Sequence, residues 1–323
     1  MIIVMYENVK KVLKGTLLYR IYISIMDKVN VTRREKMSVE LYPLEIRRMY
    51  RKIMKKELNL DNPKSFNEKI QWSKIYDNSP LKSFLSDKYE VRKWIAEKIG
   101  EEYLIPLVGE VCNDFSEIDF EALPKSFVLK LTNGSTTNVI VKDKDLLNVR
   151  KVRKKFQQWS KVNFAYRNLE LQYSRIKPRI IAEKYMVEKG MDDLPDFKFF
   201  CFDGKVFCSY TMLDYTMDHS KGRLGFFDRD YNLMPYYRKE FAHINEQLSP
   251  PENYWKMVEI AEILSKGFSH VRVDLYNVSG KIYFGEMTFT TSAGYAKFDP
   301  PEFDLILGEQ WKLDVSNPQM FKI

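Results

Sequence analysis

The run from His270 to Thr290, HVRVDLYNVSGKIYFGEMTFT, constrains the chain most, because apolar and charged residues alternate on both sides of a Ser-Gly turn. Such alternation belongs to antiparallel strands joined by a tight reversal, so any fold of this chain must contain a hairpin here. With Val278-Ser279-Gly280 as a three-residue loop and Gly280 left-handed, Asn277 pairs with Lys281, Arg272 lies opposite Glu286, and Asp274 lies opposite Phe284. The period of two then puts Arg272, Asp274, Glu286 and Thr288 on one face and makes Asp274 and Glu286 diagonal neighbours. Two carboxylates beside an arginine suit a hard divalent cation such as Mg²⁺ carrying phosphates. The same spacing also describes an ordinary cross-strand ion pair between Arg272 and Glu286.

Other segments repeat the hairpin theme. FKFFCF and KVFCSYTML flank Asp203-Gly204, a two-residue turn signal, and GRLGFFDRDYNLMPY predicts a further hairpin turning near Arg229. SFVLKLT and NVIVK flank Asn133-Gly134-Ser135-Thr136-Thr137, which reads as a strand, a flexible polar loop and a returning strand. YLIPLVGEV and PRIIAEKYMVEKG read as strands, the second ending in charge.

Helices separate these runs. Residues 1 to about 60 read as helical, ended by Asn62-Pro63, and Ser65 with Glu68 has the capping-box spacing that opens the next helix. Residues 87–99 place Val91, Trp94, Ile95 and Ile99 on one helical face before Gly100, and residues 149–162 do the same with Val149, Val152, Phe156, Trp159 and Val162. Ser249-Pro250-Pro251-Glu252 predicts the start of another helix with the stripe Met257, Ile260, Ala261, Leu264 and Phe268. Sheet hairpins with intervening helices argue for an α+β fold rather than a doubly wound parallel sheet.

The polar loop supplies N–H groups and hydroxyls that can form an anion-binding concavity, with Lys130 as a point charge at the end of the preceding strand. A nucleoside triphosphate fits both this loop and the acidic hairpin, and Ile180 to Met186 could line an adenine slot or form a core strand. No GxxxxGK[ST] or GxGxxG occurs, which excludes P-loop and Rossmann sites. His219, His243 and His270 lack ligand spacing, so core or surface roles are expected for them and for Cys201 and Cys208.

A length of 323 residues predicts about two domains with cores of their own, and three cysteines, Cys112, Cys201 and Cys208, form no disulfide framework. A reducing, cytoplasmic setting is expected, with no export signal and no apolar run long enough to span a bilayer in MIIVMYENVKKVLKGTLLYRIYISIM. The net charge of +8 is concentrated early, in Arg33 to Lys36 and Arg47 to Lys56. Such runs suit a solvated helix face, and a peripheral contact of residues 1–56 with the inner face of a membrane is the second reading; a nucleic-acid partner is not expected.

The order FVLK, polar Gly/Ser loop, IIAEKY, DFKFF, RVDLY and FGEMTF resembles the ATP-grasp superfamily. NPKSFNEKIQW, DKYEVRKWIAEKIGEEYLIP and KPRIIAEKYM are similar to runs of its TupA-like branch, over about residues 45 to 310. The resemblance implies two α+β subdomains clasping a nucleotide, with a basic helical extension over 1–60, a preceding region over 61–125, one subdomain with the phosphate loop over 126–187, and one with the metal site and substrate loop over 188–323. It implies that Lys130 contacts phosphate and adenine, that Gly134, Ser135 and Thr136 form the flexible loop that folds over the triphosphate, that Glu183, Lys184, Tyr185 and Met186 surround adenine, and that Asp196 meets the ribose. Lys198 and Arg272 would be the cations near phosphate and the acyl intermediate, and Asp274, Glu286 and Thr288 would hold Mg²⁺. Thr288 stands where many of these enzymes have asparagine, and Thr136 and Thr137 where more glycine is usual.

The activity implied is that of an ATP-dependent carboxylate-amine ligase working through an acylphosphate. In the TupA-like setting it would join an amino acid or other amine to a uronic-acid carboxylate in cell-surface polysaccharide assembly, with substrate beside Tyr295 and the loop Thr290 to Gly294. The alternative is a glycosyltransferase of the same biosynthesis, since Asp228-Arg229-Asp230 has the D-x-D form that binds a metal and a nucleotide-sugar, although aspartates are also favoured in turns.

Overall fold

The computed structural model describes residues 16–77, 79–188, 193–214, 222–316 and 318–320. Helices α1 (Leu17–Glu35) and α2 (Tyr42–Met54) come first; residues 1–15 of the expected helical stretch, and His219, lie outside the described part. The capping box forms at α3 (Phe66–Tyr76): Ser65 Oγ accepts from the Glu68 N–H at 3.3 Å, and the Glu68 carboxylate accepts from the Ser65 N–H at 3.0 Å. After α4 (Pro80–Ser86), α5 (Val91–Ile99) starts later than the sequence predicts, because the Asp87 carboxylate accepts from the N–H groups of Tyr89 and Glu90 and holds a turn there. Gly100, at φ 113°, ends it.

YLIPLVGEV does not form a strand. Pro106 has no N–H to donate, and the segment pairs one residue at a time, Leu104 with Phe284, Leu107 with Glu183 and Cys112 with Ile180. It thereby crosses from the edge of one sheet to the edge of another. The smaller sheet is antiparallel, in the order β2-β1-β3, from β1 (Phe127–Leu131), β2 (Asn138–Val141) and β3 (Ile180–Lys184). Helix α6 (Val149–Trp159) covers its back, placing Val152 and Phe156 among Phe115, Phe127, Leu129 and Ala182. The short α7 (Ala165–Asn168) leads toward β3.

The larger sheet has the order β10-β9-β4-β5-β6-β8, from β4 (Asp196–Phe202), β5 (Lys205–Leu213), β6 (Arg223–Asp228), β8 (Ala242–His243), β9 (His270–Val278) and β10 (Lys281–Thr288). Only β6 and β8 run parallel. Asp203 at φ 48° and Gly204 at φ 77° make the two-residue turn between β4 and β5. The hairpin expected at Arg229 returns only as a bridge from Phe227 to Leu233, because the Asp228 carboxylate accepts from the N–H groups of Asp230 and Asn232 and closes a turn on itself. A separate ribbon pairs β7 (Tyr237–Arg238) with β11 (Phe298–Asp299).

Helix α8 (Tyr254–Ser265) begins at Tyr254, not at Ser249. Two successive prolines hold the preceding residues out of the helical region, and Asn253, left-handed at φ 60°, donates its side-chain amide to the Gly280 carbonyl instead of capping. Its apolar side packs on Phe197, Phe199, Val271 and Val273. The other face of the sheet divides. At one end Phe200 and Phe202 meet Phe66 of α3 and Trp311, just after α9 (Phe303–Gln310), with His270 buried among them. At the other end the same alternation brings out Asp196, Lys198, Arg272 and Asp274, where no helix covers the strands and a cleft opens. The three cysteines are buried and free, and no helix among the described residues is long and apolar enough to cross a membrane.

Candidate active site between the two sheets

On the small sheet, Phe127, Leu129 and Leu131 point into the core, so the period of two turns Val128 and Lys130 to the cleft. Lys130 Nζ lies 2.6 Å from Glu183 Oε2 on β3. Beside this pair a slot is walled by Ile105, Val128, Ile140, Met186, Leu194 and Tyr276, with Lys184 and Tyr185 at its edge. The slot adjoins a cleft of about 500 Å³ lined by Lys130, Ser135, Thr136, Asp196, Lys198, Arg272, Asp274, Glu286 and Thr288 among others. Of the residues that the resemblance assigns to ATP, Mg²⁺ and the acyl intermediate, all but Gly134 therefore line one or the other.

Gly134 lies in the loop closed by the Leu131 N–H on the Thr137 carbonyl. Its φ of 77° and the Phe164 ring, which a Cβ would approach to 2.6 Å, explain glycine there. Its carbonyl accepts from Lys88 Nζ at 2.6 Å, and the same ammonium is 3.5 Å from Glu286 Oε1. Lys88 thus joins the loop of the small sheet to an acid of the large one.

The register of the acidic hairpin differs from the expected one. Val278 pairs with Lys281, leaving a two-residue Ser279-Gly280 turn, and a bulge at Gly285 follows. The shorter turn alone would put Glu286 on the face away from Asp274; the extra residue restores it, so that Asp274 faces Glu286 directly and Arg272 faces Thr288. A side chain at Gly285 would come within 3.0 Å of the Asp274 carbonyl and 3.1 Å of the Tyr276 ring.

Arg272 grips Asp274 with two hydrogen bonds of 2.7 Å and donates to Thr288 Oγ1 at 3.0 Å. Lys198 Nζ reaches Asp274 at 2.6 Å and Asp196 at 2.5 Å. Burial by itself would raise the Asp274 carboxyl, but the charges of Arg272 and Lys198 outweigh it and hold it below the usual range. Burial raises Asp196, whose Oδ1 is buried and accepts no hydrogen bond. Burial also works against the charge of Lys198, yet Asp196 and Asp274 keep the ammonium strongly protonated.

Beyond the acids, Ser292, Ala293 and Gly294 are all left-handed, at φ 52°, 53° and 70°. The turn is pinned by Gln71 Nε2, which donates to the Ala293 and Gly294 carbonyls at 3.1 and 2.8 Å. Thr290 Oγ1 donates to Glu170 at 2.6 Å and accepts from Gln172 at 2.9 Å, while Arg238 on β7 donates to Ser292 Oγ at 2.8 Å. Lys88, Glu170, Arg238 and Tyr276 line the site without having been singled out in the sequence. Lys88 stands in the run DKYEVRKW, where it reads as part of a helix, and Tyr276 closes the run RVDLY. Asp228 and Asp230 lie outside both the slot and the cleft.

A family model described as TupA-like ATPgrasp matches residues 68–312. No curated protein matches the sequence. Among solved structures, a D-alanine–D-alanine ligase from Bacillus anthracis complexed with ATP is 16% identical, with 64% of this chain and 54% of that one covered and a TM-score of 0.35. An L-amino acid ligase from Bacillus licheniformis is 14% identical, covering 70% of this chain and 49% of that one, with a TM-score of 0.40. A D-cycloserine synthetase is 14% identical over 72% of this chain and 70% of that one, with a TM-score of 0.37. The chain thus spans about half the length of the first two.

Proposed function

Because the chain belongs to the TupA-like ATP-grasp family, we propose that it is an ATP- and Mg²⁺-dependent ligase that joins an amine to a carboxylate through an acylphosphate. The observation that carries this is the facing pair Asp274 and Glu286, set in the cleft between the phosphate loop and the cations Arg272 and Lys198.

The residues fit the nucleotide and its metal. No group of three or more His, Cys, Asp and Glu gathers to hold a metal among the described residues. Asp274 and Glu286 would be two acids for Mg²⁺, with phosphate oxygens and water completing its shell. Asp196 lines the cleft and its buried Oδ1 has no hydrogen-bond partner, a cost of about 1–3 kcal/mol that a ribose hydroxyl would remove. The slot beside Lys130 and Glu183 has the mostly apolar lining, with a few polar groups, that suits a base.

In the proposed reaction a substrate carboxylate oxygen attacks the γ-phosphorus of ATP and ADP leaves; the amine nitrogen then attacks the acyl carbon and phosphate leaves. Such transfers depend on positioning and charge neutralisation rather than on a protein nucleophile. Arg272 and Lys198 would neutralise developing charge, Ser135 and Thr136 would close over the phosphates, and the turn Ser292 to Gly294 with Tyr295 would hold the acceptor. The acceptor class we propose is a uronic-acid sugar of a cell-surface polysaccharide precursor, with an amino acid as the amine.

The test is ATP binding by calorimetry with and without Mg²⁺, followed by ADP release with uronates paired with amino acids. Mg²⁺-dependent ATP binding and ADP release only when both substrates are present are expected. Consumption of a nucleotide-sugar without ATP binding would overturn the reading in favour of a glycosyltransferase, although Asp228 is already engaged in its own turn.

A further inference from the structure

The positive charge of the chain is not spread over it. Residues 1–56 hold 14 Lys and Arg against 5 Asp and Glu, whereas residues 57–323 hold 38 against 39. The same region holds the densest exposed apolar patch. Six of the sixteen large exposed hydrophobics among the described residues, Ile21, Tyr22, Ile23, Ile25, Met26 and Val29, fall within nine consecutive positions of α1. Exposed apolar side chains normally scatter; a cluster of this kind marks a contact surface.

Helix α1 is attached to the body through its later half. Asp27 pairs with Arg167 at 2.7 Å, Val31 is buried, and Arg34 is buried against Glu45 with its guanidinium donating to the Arg167 carbonyl at 2.7 Å. Residues 21–26 are exposed without exception. Ile21, Ile25, Val29 and Arg33 recur every four residues and so form one row along the helix. Arg33 meets Arg48 of α2 on the same Glu45 carboxylate, at 2.5 and 2.7 Å. There a second row begins, with Leu44, 64% exposed, and then Arg48 and Lys52. The two rows join into a surface that is apolar at one end and basic at the other.

Lys28, Lys36, Lys52, Lys55 and Lys56 are all exposed, and none of them makes an ion pair among the described residues. The residues that precede, MIIVMYENVKKVLKG, continue the mixture of aliphatic residues and lysines in sequence.

We infer that this face docks on an anionic lipid surface. Isoleucines and a valine in the acyl-headgroup boundary, flanked by unpaired lysines at headgroup level, are what such an interface requires. A nucleic acid would use the lysines but leave the aliphatic row in water. A second copy of the chain would cover the aliphatic row but would give the unpaired lysines no anionic surface to meet. The inference does not depend on the ligase reading.

The test is co-sedimentation of the full chain with vesicles of phosphatidylcholine, with and without phosphatidylglycerol, at low and high salt. The chain is expected to pellet with the anionic vesicles at low salt, to be released by high salt, and to ignore the neutral ones. Ile25→Glu/Val29→Glu, at exposed positions whose folding is checked by circular dichroism, should abolish pelleting. Lys52→Gln/Lys55→Gln/Lys56→Gln should weaken partitioning about a hundredfold, since each lysine near an anionic surface contributes roughly a factor of five. Failure to pellet with anionic vesicles overturns the inference, as does pelleting that neither variant changes. A dimer in light scattering that Ile25→Glu/Val29→Glu dissociates, or salt-sensitive RNA binding, each without vesicle binding, would assign the face to another partner.

Discussion

Asp274 and Glu286 face one another across the ladder between β9 and β10, one residue past the bulge at Gly285, yet their surroundings differ. Asp274 is buried and held by Arg272 and Lys198, whereas Glu286 is partly exposed and, among the described residues, its one ion pair is the long one with Lys88, at 3.5 Å. A tightly held acid and a loosely held one thus share one site.

That difference separates two substitutions. Asp274→Asn removes the charge that balances two buried cations and should cost about 3–5 kcal/mol of stability. Glu286→Gln disturbs only a long, solvent-accessible pair and should cost about 0–1 kcal/mol. Both should lower Mg²⁺-dependent ATP affinity by about tenfold or more. Urea unfolding and calorimetry on the two variants check this; equal destabilisation would contradict the division.

Gly134→Ala forces a side chain into a left-handed residue and against the Phe164 ring. The backbone penalty is about 1–2 kcal/mol. Because Phe164 belongs to the core behind the small sheet, relief must come from the loop, which should shift away from Lys88. ATP affinity should fall about tenfold while the melting temperature drops by only about 2–5 °C, as titration and a thermal melt on the same sample would show.

Gln71→Leu leaves the Ala293 and Gly294 carbonyls without their donor and frees a turn that holds two left-handed non-glycine residues. Each buried carbonyl left unpaired costs about 1–3 kcal/mol. The expected outcome is a destabilised chain in which the KM for the acceptor rises more than that for ATP, measured by ADP release.

His270 fixes the sign of one pH effect. Burial among Phe66, Phe202 and Trp311 pushes its imidazole down to about 3. The unfolded chain takes up this proton near pH 6.5, so stability is full above that pH and declines as the pH falls from about 6.5 toward 3. His270→Gln should lower stability at neutral pH but flatten this part of the curve, which urea unfolding at a series of pH values would resolve. An unchanged slope would assign the acid sensitivity to the carboxylates.

Much of the site could be read before folding. Alternation placed Arg272 and Asp274 on one face of a strand, Asp203-Gly204 set a turn, and Ser65 with Glu68 opened a helix, because each depends on neighbours within a few residues. Several readings failed where local rules compete, beyond the late start of α5 and the hairpin near Arg229 that closes only as a bridge. The helix start moved from Ser249 to Tyr254 because successive prolines resist the first turn. Pro106 reduced a predicted strand to single bridges. The acidic hairpin was given the wrong turn length, and its facing acids were recovered only because a bulge displaced the register by one more residue.

The sequence by itself determined the α+β class, the order of strands and helices, and the set of charged residues that the strand period brings to one side. Only the tertiary structure decided which of those residues are free. It set Lys88 between Gly134 and Glu286, tied Arg272 and Lys198 into Asp274, and hung the turn of Ser292 to Gly294 on Gln71, more than two hundred positions away. Periodicity and turn chemistry act over a few residues, whereas register, ion pairing and loop support depend on which surfaces pack together, and that is settled only when the whole core closes.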